Sequence, residues 1–278
     1  WQARYNAMLC LQIIGSTFAI DAIQKVLNDP RKEIATKARD MLVEWKRIRV
    51  AEVKERDVRT GLPARIYNSL EDNAEYILIP EGSYTMGQLK NRATVTPFYL
   101  AKFTVTNRLY RKFVQAAKHR EPDYWNNKKY NSDEQPVVGV RWDDAVAYCD
   151  WLTKTDKDKR EFRLPAEAEW EWAAGKGKRK YPWGNEEPDH NRANYASKVG
   201  YPTPVGSYPS GATPDGLMDM AGNVWEWCAD WYDEKKDRRV LRGGSWVNSG
   251  LNLPCSDRYR DYPENRYYDV GFRVSCGA

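Results

Sequence analysis

The chain has 278 residues, and its two histidines, His119 and His190, exclude a three-histidine metal centre and leave few acid–base dyads. Hydrophobic residues at 41% against 30% charged exclude a disordered chain. The net charge of +5 is no nucleic-acid footprint, because residues 1–60 hold 12 Lys/Arg against 8 Asp/Glu, interleaved at helical spacing as on a solvated helix face.

Met8, Leu11 and Ile14, then Ala19, Ile20, Ile23, Val26 and Leu27, recur with a period near 3.6 and predict helix, interrupted at Gly15-Ser16. Asn28-Asp29-Pro30 breaks and restarts it, with Asp29 at the N-cap and Pro30 at the first helical position. Ile34, Ala38, Met41, Leu42 and Trp45 stripe the second helix. The pair resembles one HEAT repeat. A lone repeat cannot bury both faces, so 1–50 is expected to be the last repeat of a longer solenoid. Residues 51–73 are expected to form a basic linker.

From about Asn73 the texture changes. Tyr76–Ile79, Phe98–Leu100 and Phe103–Val105 read as short strands, while 106–118, 143–153 and 165–174 read as helices. After Gly175 little is helical, and long stretches rich in Trp, Gly, Asn and Pro run to the end. So much loop needs side-chain anchors or a structural ion to satisfy buried backbone. The domain is α+β. No apolar run approaches the roughly 18 residues of a membrane helix, and the first residues lack the order of a secretory leader. Cys10, Cys149, Cys228, Cys255 and Cys276 are odd in number and form no CxxC pair, which predicts reduced thiols and a cytoplasmic protein.

Eight segments carry a resemblance: Ile79-Pro80-Glu81-Gly82-Ser83-Tyr84-Thr85-Met86-Gly87, Val105-Thr106-Asn107, Pro136–Trp142, Phe162–Glu171, Tyr181-Pro182-Trp183-Gly184, Gly216–Trp227, Arg242-Gly243-Gly244-Ser245-Trp246 and Gly271-Phe272-Arg273. In that order they resemble the formylglycine-generating-enzyme (sulfatase-modifying-factor) superfamily. The resemblance implies an elaborated C-type lectin domain over 74–278, preceded by the short α-helical HEAT-like segment. Fold alone does not give function, since the superfamily holds oxidases, iron enzymes and binding proteins.

The oxidases use two copper-binding cysteines shortly after the Gly-Gly-Ser motif. Here Val247-Asn248-Ser249-Gly250-Leu251-Asn252-Leu253 follows, without a thiol, and Cys255 aligns with a non-catalytic cysteine. One thiol cannot make a two-coordinate soft copper site, so no copper is expected and Cys255 reads as buried. The iron enzymes take three histidines, which this chain lacks, and both of its histidines read as surface residues. A non-catalytic binding protein is therefore expected, with an oxidase of altered or residual activity as the alternative.

Residues 247–270 read VNSGLNLPCSDRYRDYPENRYYDV, polar and without hydrophobic period. They resemble the variable region of diversity-generating-retroelement target proteins, in which AAY asparagine codons are copied with errors at adenine. Such randomisation never yields Trp, Gln, Glu, Lys or Met. These types supply about a fifth of an ordinary protein, so about five are expected here, yet Glu264 stands alone. A polar loop with Tyr and Asn for turns would share the composition; the rigid motifs on both sides favour the variable region. The resemblance makes Val247, Asn248, Ser249, Leu251, Asn252, Asp257, Tyr259, Asp261, Tyr262, Tyr267, Tyr268 and Asp269 the ligand-binding set, with the Tyr and polar chemistry of antibody paratopes and a protein ligand as partner. Arg258, Arg260 and Arg266 are expected to serve the scaffold by bridging loop carbonyls. Trp225, Trp227 and Trp246 are expected in the core.

The resemblance also implies a structural Ca²⁺ held by the Asp219 and Glu226 carboxylates and the carbonyls of Gly222 and Val224, hard oxygen donors suited to that ion. Alternatively Asp219 and Glu226 cap turns through water or a lysine.

Overall fold

The computed structural model describes Thr36, which is helical, and residues 56–278. The HEAT-like pair expected over 1–50, with its solenoid, and Cys10 otherwise lie outside the described residues. The chain divides into two compact units, Trp1–Tyr76 and Ile77–Ala278.

Within the first unit the expected linker is corrected over its second half. Residues 65–68 form β1 (Arg65–Asn68), and a 3₁₀ turn, Ser69–Glu71, follows. Asn68 caps that turn, accepting from the Leu70 N–H and donating to the Glu71 carboxylate. Arg65 pairs with Glu75 at 2.8 Å. A charged sequence can thus hold a short strand through side-chain pairs that no hydrophobic period announces.

Strand β2 (Ala74–Ile79) runs from the first unit into the second, which continues with the antiparallel hairpin β3 (Gly82–Thr85) and β4 (Arg92–Val95), and β5 (Phe98–Ala101). Residues 103–105, expected as strand, are irregular. Three helices follow: α1 (Asn107–Ala117), α2 (Trp142–Thr155) and, after β6 (Phe162–Arg163), α3 (Glu167–Gly175). Each starts on a local capping hydrogen bond. The Thr106 hydroxyl accepts from Leu109 N–H, Asp144 reaches back to Arg141 N–H, and Glu169 to Ala166 N–H. The remaining strands are β7 (Trp225–Trp231), β8 (Arg239–Arg242), β9 (Arg258–Asp261), β10 (Val270–Gly271) and β11 (Ser275–Gly277).

The carboxy-terminal β11 lies antiparallel between β5 and β6, closing a sheet with the order β2-β5-β11-β6 in this unit. Tyr110 and Phe113 of α1 meet Tyr148 of α2 and Phe272 in an aromatic cluster, with Tyr110 stacked on Tyr148 at 5.9 Å. A second core gathers Ile79, Phe98, Leu100, Trp170, Met220 and Val240. Trp225, Trp227 and Trp246 are buried, as expected.

The four-stranded sheet β10-β7-β8-β9 positions the site. Its registers place Glu226 opposite Arg242 and Arg242 opposite Arg258, with Trp227, Leu241 and Tyr259 in the adjacent row. Because side chains alternate across a pleated sheet, Glu226, Arg242 and Arg258 face one side, and Trp225, Leu241, Tyr259 and Asp261 face the other.

Candidate ligand-binding site

The first of those faces packs on α3 through charge. Arg242 is fully buried; it pairs with Glu171, lies 3.3 Å from Glu167, and donates to the carbonyls of Cys255 and Asp257 at 3.2 and 2.6 Å. Arg258 forks onto Glu167 at 2.7 and 2.9 Å and onto the Tyr232 carbonyl at 3.0 Å. Arg273, also fully buried, forks onto Glu226 at 2.7 and 2.7 Å and donates to the carbonyls of Ala101, Lys102 and Met218. Each guanidinium thus satisfies a carboxylate and loop carbonyls together, which a lysine's point charge could not do.

Expectation and structure part in detail here. Arg258 does serve the scaffold, and Arg266 lies 3.8 and 3.7 Å from Asp123 and Asp144. Arg260 is exposed and rests on the Tyr232 ring at 4.5 Å, bridging no carbonyl. The carbonyl bridge across 247–270 is made by Arg242, the first residue of the Arg242–Trp246 motif. The stretch is also less irregular than its composition suggests, holding β9 and a 3₁₀ turn at Gly250–Asn252.

Fixed groups hold the backbone of 247–270 at intervals. Asn248 O accepts from Ala196 N–H, Tyr267 O from Gly139 N–H, Pro263 O from Trp142 N–H and Asp269 O from Trp225 N–H, while Cys255 N–H donates to Lys180 O. Gly244, at φ 74, passes so close to this segment that an added Cβ would stand 2.7 Å from the Asn252 carbonyl oxygen.

The side chains behave differently from the backbone. Val247, Ser249, Leu251, Tyr259, Tyr262 and Tyr267 are exposed, Leu251 to 84% and Tyr259 to 55%; Asn248, Asn252, Asp257, Asp261, Tyr268 and Asp269 are half-buried. None of the twelve is buried, whereas Arg242–Trp246 before them and Val270–Cys276 after them are.

Six of the twelve converge. Asn248, Asn252, Tyr259, Asp261, Tyr267 and Asp269 line a cleft of about 310 Å³ floored by Trp225, Leu241 and Val270. Tyr259 stacks on Trp225 at 5.5 Å. The floor residues escape a search for exposed polar chains, because each reads as strand core. Tyr268 is set apart, packing against Trp246 at 5.6 Å and against Tyr124 and Tyr130 at 6.1 and 6.0 Å. Tyr262 stands under the Arg238 guanidinium, 4.7 Å from ring centre. Asp257 accepts from Gln88 and Asn252.

Burial pushes the Asp269 carboxyl above the usual carboxylate range, against the hydrogen bond it accepts from the Ser245 hydroxyl. The Tyr267 hydroxyl is raised first by the Asp261 charge and then by burial. His119 differs from expectation: it is partly covered, with Nε2 3.0 Å from Asp144. His190 is exposed, stacked on Tyr195.

The implied Ca²⁺ segment can be tested for fit. Asp219 and Glu226 are both buried, and one guanidinium, Arg273, answers Glu226. Asp219 accepts from Gly206 N–H and forms no ion pair among the described residues; burial pushes its carboxyl up to about 6. Asp219, Gly222 and Asn223 all have positive φ, which curls the backbone here. Two buried carboxylates and one cation leave a negative balance on a curled, oxygen-rich loop, so the residues fit a hard cation. Glu226 already accepts from Arg273 and from the Trp170 indole N–H, at 2.7 Å each, and would share its carboxylate between them and the ion.

Cys149, Cys228, Cys255 and Cys276 are buried. Burial pushes Cys228 well up and Cys255 up to about 12. Among the described residues no helix is long and apolar enough to cross a membrane.

The model of the sulfatase-modifying factor enzyme 1-like domain matches residues 64–276. Serine/threonine-protein kinase pkn1 of Chlamydia caviae is 32% identical over 248 residues, 73% of this chain and 38% of that protein. The chain thus spans well under half of that relative. The inactive C-alpha-formylglycine-generating enzyme 2 of Bos taurus is 30% identical over 260 residues, 72% of this chain and 83% of that protein. Among solved structures, PvdO from Pseudomonas aeruginosa superposes with a TM-score of 0.65 at 26% identity, over 77% of this chain and 98% of that one. Treponema denticola variable protein 1 does so with a TM-score of 0.64 at 25% identity, over 74% and 95%.

Proposed function

Since this chain belongs to the sulfatase-modifying factor enzyme 1-like family, we propose that it is a non-catalytic member that binds a protein ligand through the 247–270 surface. In this reading a diversity-generating retroelement varies that surface, the domain sits in the cytoplasm behind helical repeats, and Ca²⁺ at Asp219, Gly222, Val224 and Glu226 is structural. One observation carries it: twelve side chains reachable from AAY codons stand unburied on a backbone tied at each interval to fixed residues. A surface that must change without unfolding needs this division of labour. A relative named inactive and a structural neighbour named a variable protein support it.

Tyr259, Tyr262, Tyr267 and Tyr268 supply rigid amphipathic area with little rotamer entropy to lose, and the Asp and Asn groups between them supply hydrogen bonds. The oxidase alternative lacks its thiol pair, since residues 247–253 carry no cysteine and Cys255 stands alone there.

The test exchanges the twelve residues for other AAY-reachable types while keeping Arg242, Ser245, Arg258, Arg266 and Arg273. The exchanged protein should unfold at a similar temperature and select different sequences from a displayed random peptide library. Loss of folding, or selection of the same peptides, would overturn the binding reading. Diversification has its own test: a near-repeat of the last codons, with AAY at the varied positions, beside a reverse-transcriptase gene. A genome without such a repeat removes diversification and leaves the binding surface to be judged alone.

A further inference from the structure

The cleft has a chemistry of its own. Its lining brings together the Trp225–Tyr259 stack, the Tyr267 ring, two carboxylates, Asp261 and Asp269, and two amides, Asn248 and Asn252, with no Lys or Arg among the described residues. Where Glu167, Glu171 and Glu226 are answered by arginines, these two are not. Asp261 accepts from the Tyr262 N–H and the Asn265 amide, and Asp269 from the Ser245 hydroxyl; neither forms an ion pair among the described residues. Arg239, opposite Asp261 in register, is spent elsewhere: it is clamped between the rings of Trp142 and Trp231 at 3.6 and 3.5 Å and donates to the Ala229 carbonyl.

The same molecule displays how it holds a guanidinium. Arg239 lies between two indole faces, and Arg258 lies 3.9 Å from the Tyr232 ring centre while forking onto Glu167. Flat rings and carboxylates together form the recurring cradle, because a guanidinium is planar, weakly hydrated and forked. The cleft brings together the same flat rings and carboxylates. Resting on the binding role proposed above, we infer that the cleft of Trp225, Tyr259, Asp261, Tyr267 and Asp269 receives an arginine side chain presented by a protein partner.

A cavity of about 310 Å³ suits one inserted side chain rather than a folded segment. The guanidinium would lie along the open face of Tyr259 with its donors toward Asp261 and Asp269. Lysine, round and strongly hydrated, would gain the charge but not the stacking.

Acetyl-glycyl-arginyl-glycinamide and its citrulline and lysine counterparts, titrated against the full chain and followed by the Trp225 indole NMR signal, test this. Free L-arginine serves as the small-molecule arm. The arginine peptide should bind about tenfold more tightly than the lysine peptide and tighter still than the citrulline one. Asp261→Asn and Asp269→Asn should each weaken the arginine peptide about tenfold and leave the citrulline peptide unchanged, with Glu264→Gln silent. Unchanged melting temperatures keep the variants interpretable, and Asp261→Asn alone suffices if Asp269→Asn unfolds. Equal binding of citrulline and arginine, or free arginine binding better than the peptide, overturns the inference but leaves the binding surface standing. Failure of every peptide, including those from the random library, overturns both.

Discussion

At Cys255, a single thiol decides between two chemistries. The added Cβ of a residue at Gly175 would stand 3.1 Å from the Cys255 Cβ, so α3 and this turn are already in contact. Burial pushes the thiol up to about 12, and the side chain is only 3% exposed, at the wall of a cleft beside Gly175 and Ser256. Iodoacetamide should leave Cys255 unmodified in the folded protein and label it fully in denaturant, as peptide mass spectrometry would report. Rapid labelling at pH 8 would revive the oxidase reading. A second prediction concerns Arg273. Arg273→Gln leaves Glu226 buried and without its charge partner, which should cost about 3–5 kcal/mol in urea unfolding. The sequence alone made the burial of Cys255 legible, because its expected partner thiol is missing. It did not make Arg242 legible, since the partners Glu167 and Glu171 lie far upstream and neither advertises burial.

Among the elements, β9 is where pattern reading failed. Arg258-Tyr259-Arg260-Asp261 carries no apolar alternation, so nothing marks it as a strand. Its period of two is nevertheless present, written in a different alphabet. Arg258 faces the ionic layer under α3, and Tyr259 and Asp261 face the cleft. Helix α1 was legible for a different reason: Thr106 sits at an N-cap whose hydrogen bond depends only on local spacing, and Asp144 and Glu169 hold the first turns of α2 and α3 in the same local way. The two faces of β9 should answer mutation unequally. Arg258→Ala strips Glu167 of its fork and should cost about 3 kcal/mol or more. Tyr259→Ser gives up one half-open ring stack and should cost about 1 kcal/mol. Chemical denaturation of the pair reads the difference directly. Equal costs would mean that the strand is not divided into a scaffold face and a ligand face.

At the scale of the whole domain, the question is what holds long loops without strands. From the end of α3 at Gly175 to the start of β7 at Trp225, the one described regular element is the 3₁₀ turn Pro209–Gly211. Side chains substitute for ladders there. Asn223 alone receives Asn194 Nδ2, Thr203 N–H and Thr203 Oγ through one oxygen, and donates to the Thr203 carbonyl. That residue lies inside the segment 219–226, so an ion held by Asp219, Glu226 and the carbonyls of Gly222 and Val224 would act on the knot that ties these loops. Without a cation the knot carries two buried carboxylates against one guanidinium. With one, the balance is restored and the folded state alone gains. At ligand a hundred times above its dissociation constant the gain is about 2.7 kcal/mol. For a domain of this size that is about 5–10 °C in melting temperature. Calcium should therefore raise the melting temperature over an EDTA-treated sample, magnesium should do so less, and Asp219→Asn should abolish the difference while Glu187→Gln, exposed and paired with Lys180, should not. Identical melting curves in calcium and EDTA would assign the knot to Arg273 and the amides alone, and Asp219 would then be a buried acid whose proton does the work expected of the ion.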